Sequence, residues 1–135
     1  MTRKLYVNLP VKDLQRSVAF FTALGFGFDP VFSNEHGAAM VVNEHTEVML
    51  LDEALFTSFT PKKICDTRDT TEVLLAVSLG SRAEVDEFVE KAIAGGATEG
   101  HPPEDEGFMY SRAFMDLDGH NWGPFWMDES QMPAQ

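Results

Sequence analysis

The side chains able to do chemistry in this sequence are few and scattered. Its four histidines are His36, His45, His101 and His120, and none has a histidine partner at ligand spacing. His36 and His45 sit in turn-rich stretches, His101 precedes Pro102-Pro103 and His120 follows Asp118-Gly119, so solvated turn positions account for them. His120, at the entry to a strand, is the one placed to reach the rim of a cavity. The single cysteine, Cys65, has Asp66 beside it and no evident activating cation or paired histidine, which argues against a catalytic thiol and excludes an intrachain disulfide. Glu104-Asp105-Glu106, between Pro103 and Gly107, has the residue types of a general acid but the setting of a solvated loop, with room to act as a lid.

A binding chemistry is better represented. Over residues 108–115, Phe108, Tyr110, Arg112 and Phe114 alternate with Met109, Ser111, Ala113 and Met115. Large residues on one side and mostly smaller ones on the other suit a cavity wall opposite a close-packed helix, which predicts that Tyr110, Arg112 and Phe114 face inward. A cation among aromatics needs a carboxylate, supplied by an internal Asp or Glu or by an anionic ligand. In the last strand Asn121, Gly123 and Phe125 are expected to face inward, leaving Trp122 and Trp126 against the helices. The same aromatics also fit a core or a subunit interface, and Met40, Met49 and Met109 fit core filling or an adaptable ligand surface.

Elements must exist to position these groups. Leu5, Val7 and Leu9 alternate with Lys4, Tyr6 and Asn8, the period-2 mark of a half-buried strand over residues 3–9, which Pro10 is expected to end. Asp13 is a helix N-cap, Leu14, Val18 and Phe21 follow at helical spacing, and Gly25 is a C-terminal stop. Strand candidates at residues 26–32, 38–42 and 47–51 complete a βαβββ order. Residues 52–70 lack a sustained period and read as a connection with one short helical turn. A buried strand over 72–79, a capping box at Ser81-Arg82-Ala83-Glu84 and a helix striped by Val85, Phe88, Val89, Ala92 and Ile93 begin the pattern again. Strands near 97–99, 108–115 and 121–127 follow, with Asp116-Leu117-Asp118-Gly119 as the last hairpin turn. A shift of 71 residues carries Leu14, Val18 and Gly25 onto Val85, Val89 and Gly96, so the chain reads as a repeated βαβββ unit.

Bulk properties bound the rest. A chain of 135 residues is about one domain, which leaves no room for separate cofactor and substrate lobes. With 10 basic against 22 acidic residues the formal charge is −12, which repels phosphate backbones and anionic lipid heads and so disfavours nucleic-acid or membrane partners. No apolar run approaches the length of a membrane helix, and the start Met-Thr-Arg-Lys-Leu-Tyr-Val-Asn turns polar before a signal-type stretch develops. A reduced, cytoplasmic protein is expected.

Two segments carry a resemblance. The stretch Leu9-Pro10-Val11-Lys12-Asp13-Leu14-Gln15-Arg16-Ser17-Val18-Ala19-Phe20-Phe21, with Leu24-Gly25-Phe26, and the closing Asp116-Leu117-Asp118-Gly119-His120 resemble the vicinal oxygen chelate superfamily, which groups glyoxalase I, bleomycin-resistance proteins and extradiol dioxygenases. Within it the chain looks closest to small bacterial glyoxalase-like proteins. The resemblance implies an α+β fold in which two βαβββ modules, 1–60 and 70–128 of a single domain 1–135, form a concave mixed sheet around a ligand. It also implies a homodimer, since members of this length usually dimerise and curled modules leave sheet edges uncovered.

The resemblance further assigns metal-ligand positions, and they fall on Tyr6, Leu50, Leu74 and Gly123. Transition metals need lone pairs from imidazole, carboxylate or thiolate, which leucine and glycine lack. A shift of one residue brings in Val7, Met49, Leu51, Val73, Leu75, Trp122 and Pro124, which are no better. A metal-free site without cofactor is therefore expected. Its candidate ligand-binding residues are Tyr6, Asn8, Leu50, Leu74, Tyr110, Arg112, Phe114, Asn121 and Phe125. Three functions stay open: a glyoxalase/bleomycin-resistance-like protein that binds a small, partly aromatic or cationic molecule; a lactoylglutathione-lyase-like or other enzyme with an atypical metal site or none; and an interaction domain whose cavity is filled by its own aromatics.

Overall fold

A computed structural model describes residues 3–131, and the chain divides after Cys65 into two units. In the first, β1 (Leu5–Val11), α1 (Leu14–Ala23), β2 (Gly27–Asp29), β3 (Gly37–Asn43) and β4 (Thr46–Asp52) follow the expected βαβββ order, and α2 (Glu53–Thr57) supplies the short helical turn. The sheet order is β1-β4-β3-β2, with β1 parallel to β4 and the other pairs antiparallel. The strand expected at 26–32 ends early, because Asp29 caps a 3-10 turn at Pro30–Phe32. Pro10 does not end β1 but pairs opposite Leu51 within it. The strand lies at the sheet edge, where a residue without an N–H is tolerated.

Register sorts the first unit's side chains into two faces. Leu9 lies opposite Leu50, and Leu50 opposite Ala38, with exposures of 2%, 0% and 5%. Helix α1, with Phe20 and Phe21 buried, accounts for this fully buried apolar face. Tyr6, Asn8, Glu47 and Met49 occupy the other face, since Tyr6 is paired with Glu47 and Asn8 with Met49.

The second unit contains β5 (Leu74–Ser78), α3 (Arg82–Ala94), β6 (Thr98–Glu99), β7 (Glu104–Asp105), β8 (Met109–Ser111), β9 (Phe114–Met115) and β10 (Asn121–Met127). Strand β10 runs parallel to β5 and antiparallel to both β8 and β9, which in turn pair with β7 and β6. With β8 and β9 counted as one broken strand, the order repeats that of the first sheet. The break corrects the continuous strand expected over 108–115. Arg112 N–H reaches the Pro124 carbonyl at 3.1 Å, but proline has no N–H to return, so the ladder lapses there. Glu104-Asp105-Glu106 is likewise not a plain loop. Its first two residues form an exposed edge strand opposite Ser111 and Tyr110.

The internal repeat is clearest where the two long helices stop. Gly25 (φ +108°) donates to the Thr22 carbonyl at 3.0 Å, and Phe26 to that of Phe21 at 3.1 Å. Gly96 (φ +109°) donates to the Ile93 carbonyl at 3.1 Å, and Ala97 to that of Ala92 at 2.9 Å. Both helices thus end in the same glycine-dependent C-cap. Their starts differ: Asp13 accepts from Arg16 N–H, whereas Ser81 accepts from Glu84 N–H and the Glu84 carboxylate accepts from Gly80 N–H. An added Cβ at Gly25 meets nothing within 4 Å, while at Gly96 it lies 3.1 Å from Leu117 Cδ2. Gly25→Ala is therefore expected to cost about 1 kcal/mol from backbone strain alone. Gly96→Ala should cost measurably more in urea denaturation, and equal losses would contradict the packing argument.

Candidate functional site

The first unit holds an open cavity of about 470 Å³ lined by Asn8, Phe56, Phe59 and Thr60. Asn8 comes from the sheet face opposite α1. Phe56 belongs to α2, which starts where the Asp52 carboxylate caps it by accepting from Leu55 N–H at 2.8 Å. Phe59 follows that short helix and is 70% exposed, and the lining combines two phenyl rings with one amide and one hydroxyl. An apolar concavity with a few polar groups is the usual form of a small-molecule site. Phe56, Phe59 and Thr60 escaped the sequence reading because 52–70 has no sustained period. The usable signal was the Asp52 cap followed by two phenylalanines three apart, one helical turn.

Beside this cavity, on the same sheet face, stand Tyr6, 48% exposed, and Glu47, 2% exposed. Lys4 forms an ion pair with Glu47 and lies 5.4 Å from the Tyr6 ring centre. The hydrogen bond to Glu47 raises the Lys4 pKa. Leu50 is not part of this surface. It is fully buried on the α1 side, opposite Leu9, so its place among the ligand-binding candidates is corrected.

The second unit corrects three more candidates. Tyr110 is paired with Trp126 and Phe114 with Trp122, and directly opposed residues share a face. The tryptophans and the Tyr110, Arg112, Phe114 set therefore lie together, on the side of α3. Tyr110 donates its hydroxyl to Asp86 at 2.7 Å, and Phe114 packs on Phe88 with ring centres 5.9 Å apart. Arg112 takes internal carboxylates, Asp86 and Glu90 at 3.1 Å and Glu99 at 2.9 Å. The Asp86 hydrogen bond, with burial behind it, raises the Tyr110 pKa. The open face of the second sheet carries Leu74, Asn121 and Phe125 as expected from alternation, with Leu74 72% exposed.

His120 is not at a rim. It is 2% exposed, and its Nδ1 lies 2.6 Å from the Glu72 carboxylate. It belongs to a buried turn organised by Asp116, which accepts from Asp118 N–H, His120 N–H and Trp122 Nε1. Burial raises the Asp116 pKa against those hydrogen bonds.

Residues 3–43 match the family model described as bleomycin resistance protein-like N-terminal. No curated protein matches the chain. Among solved structures, a hypothetical protein from S. aureus is 26% identical with a TM-score of 0.79, covering 93% of this chain and 95% of that one. A glyoxalase/bleomycin resistance protein/dioxygenase from Nocardioides is 25% identical with a TM-score of 0.70, over 100% of this chain and 91% of that one. A genomically encoded fosfomycin resistance protein, FosX, from Listeria monocytogenes is 20% identical with a TM-score of 0.67, over 100% and 96%. The match over residues 3–43 and the likeness to the Nocardioides protein support the resemblance to the vicinal oxygen chelate superfamily. The chain's fold is the α+β glyoxalase/bleomycin-resistance/dioxygenase fold.

The superfamily that the chain resembles often holds a divalent metal, and the residues at the positions this resemblance implies do not fit one. At the four implied positions only Tyr6 carries a donor atom, and Leu50 lies on the opposite face of its sheet from Tyr6. Among the described residues no three His, Cys, Asp or Glu side chains come together as a metal site. Arg112→Met is expected to cost about 2 kcal/mol, because it leaves Asp86, Glu90 and Glu99, each at least half exposed, to repel one another. The loss should shrink at high salt, which screens exposed carboxylates from one another. A salt-independent loss would assign the effect to packing alone.

Proposed function

We propose that this chain is a vicinal oxygen chelate protein and that it binds a small, partly aromatic or cationic molecule without a metal ion, in the manner of a resistance or sequestration protein. The observation that carries this is the first unit's cavity, whose lining of Asn8, Phe56, Phe59 and Thr60 offers aromatic stacking with two neutral polar groups. Tyr6 and the open sheet face of the second unit, with Leu74, Asn121 and Phe125, extend the set of ligand-facing candidates. The formal charge of −12 favours approach of cations. The description of the matching family model points to bleomycin as a first probe. Among the described residues no helix is long and apolar enough to cross a membrane. A cytoplasmic role without nucleic-acid partners is part of the same proposal.

A homodimer is proposed with it. In the first unit Leu5, Val31 and Phe32 are 60%, 81% and 61% exposed, and in the second Leu74 is 72% exposed, apolar side chains that a second copy would cover. Sedimentation is expected to give a species of twice 15.1 kDa at micromolar concentration. A monomer throughout would remove this part of the proposal.

The binding function is tested by a thermal-shift screen of aromatic cations that includes metal-free bleomycin, since a ligand raises apparent stability by mass action. Hits should lose about tenfold in affinity on Phe59→Ala, roughly the contribution of one aromatic contact. Elemental analysis should find no stoichiometric zinc, nickel or iron in the purified protein. A tightly held metal with chelator-sensitive lactoylglutathione formation would replace binding by enzyme catalysis.

A further inference from the structure

Among the described residues only two buried side-chain atoms lack a hydrogen-bond partner, Glu47 Oε1 and Arg112 Nε. Arg112 has its other nitrogens satisfied by three carboxylates. Glu47 differs: its side chain is 3% exposed, Lys4 holds Oε2, and Oε1 has nothing. An ionised carboxylate offers about four acceptor positions, and leaving them empty inside a protein is costly. The groups set against it reach solvent, the Lys4 side chain being 35% exposed and Tyr6 48%.

Register places Glu47 one strand step from the cavity lining. Glu47 pairs with Tyr6, and Asn8, which lines the cavity, is the next residue of β1 on that face. Two residues along a strand span about 7 Å, a step bridged by a polar head on a fused two-ring aromatic. We propose that Glu47 is the anchor for a cationic nitrogen, an amidinium or protonated amine, carried by the aromatic ligand of the Asn8 cavity. The inference rests on the cavity being a ligand site and adds the class of head group. The nitrogen donates to Oε1 while Lys4 keeps Oε2, so one carboxylate serves two cations. A ligand carboxylate at the same place sets an acceptor-only anion against the unpaired Glu47 oxygen, and is disfavoured.

Three compounds sharing one ring system test this: naphthamidine, naphthamide and naphthoate, titrated by calorimetry into the wild-type protein. The amidine is expected to bind about tenfold or more tighter than the naphthoate, the gain of one charge-assisted hydrogen bond. Glu47→Gln should bring the amidine to within about twofold of the amide. Far-UV circular dichroism checks that this variant folds. Lys4→Met gives a second reading that leaves Glu47 in place, and freeing Oε2 should raise amidine affinity. Equal binding of amidine and naphthoate, an amidine preference that survives Glu47→Gln, or no response to Lys4→Met overturns the anchor. If naphthamide binds and depends on Phe59 while no amidine preference exists, the anchor falls and the cavity reading stands. If none of the three binds, both fall.

Discussion

In each unit one strand carries the sheet. Strand β4 pairs parallel with β1 and antiparallel with β3; β10 pairs parallel with β5 and antiparallel with the broken β8 and β9. Because residues opposed across such a pair share a face, fixing the register of β4 and β10 decides which side chains meet a helix and which stay open. A slip of one residue would exchange the two sets and expose a fully buried core. The parallel pairs also require a crossover, and α1 and α3 provide it in similar ways, each stopped by a glycine in the same cap.

That constraint explains where the sequence was legible and where it was not. Helix ends were readable because their chemistry is local: Asp13, Ser81, Gly25 and Gly96 act within a turn of their own positions. The faces of an isolated strand were not, since alternation says which residues go together but not which set is buried. Tyr110, Arg112 and Phe114 were grouped correctly and assigned the wrong side. The tryptophans of β10 had already been assigned to the helices, and the pairing of Trp126 with Tyr110 and Trp122 with Phe114 then fixes the other strand. Leu50 was misplaced for the same reason. Its partner Leu9 belongs to the apolar set of β1, opposite in sense to Tyr6.

The acidic composition is managed by a few cations. Arg112 gathers three carboxylates beside α3, and Arg82 holds Asp105 at 2.6 Å and 2.9 Å while lying near the Tyr110 and Trp126 rings. The Arg82 hydrogen bonds, and the Gly107 N–H, lower the Asp105 pKa to about 2. The carboxylate therefore favours the fold above its ordinary titration range and loses that contribution as pH falls toward its lowered value. The Glu104-Asp105-Glu106 segment thus begins an edge hairpin tied to α3 through Asp105.

What remains for function is set by subtraction as much as by motif. The aromatic and charged residues that looked most chemical in the sequence are spent on the second unit's core and its ion pairs. His120 and Asp116 are spent on a turn. The first unit keeps its unused polarity on the sheet face away from α1, where Asn8 meets two phenylalanines and Glu47 lies buried beside an exposed tyrosine. A carboxylate in that position would be replaced by an apolar residue at little loss if stability were its only role, because a buried ion pair seldom outweighs the cost of desolvating it. Retaining Glu47 with an open acceptor fits a surface whose missing partner arrives from outside, and it places the selectivity of the site in its carboxylate and its affinity in its rings.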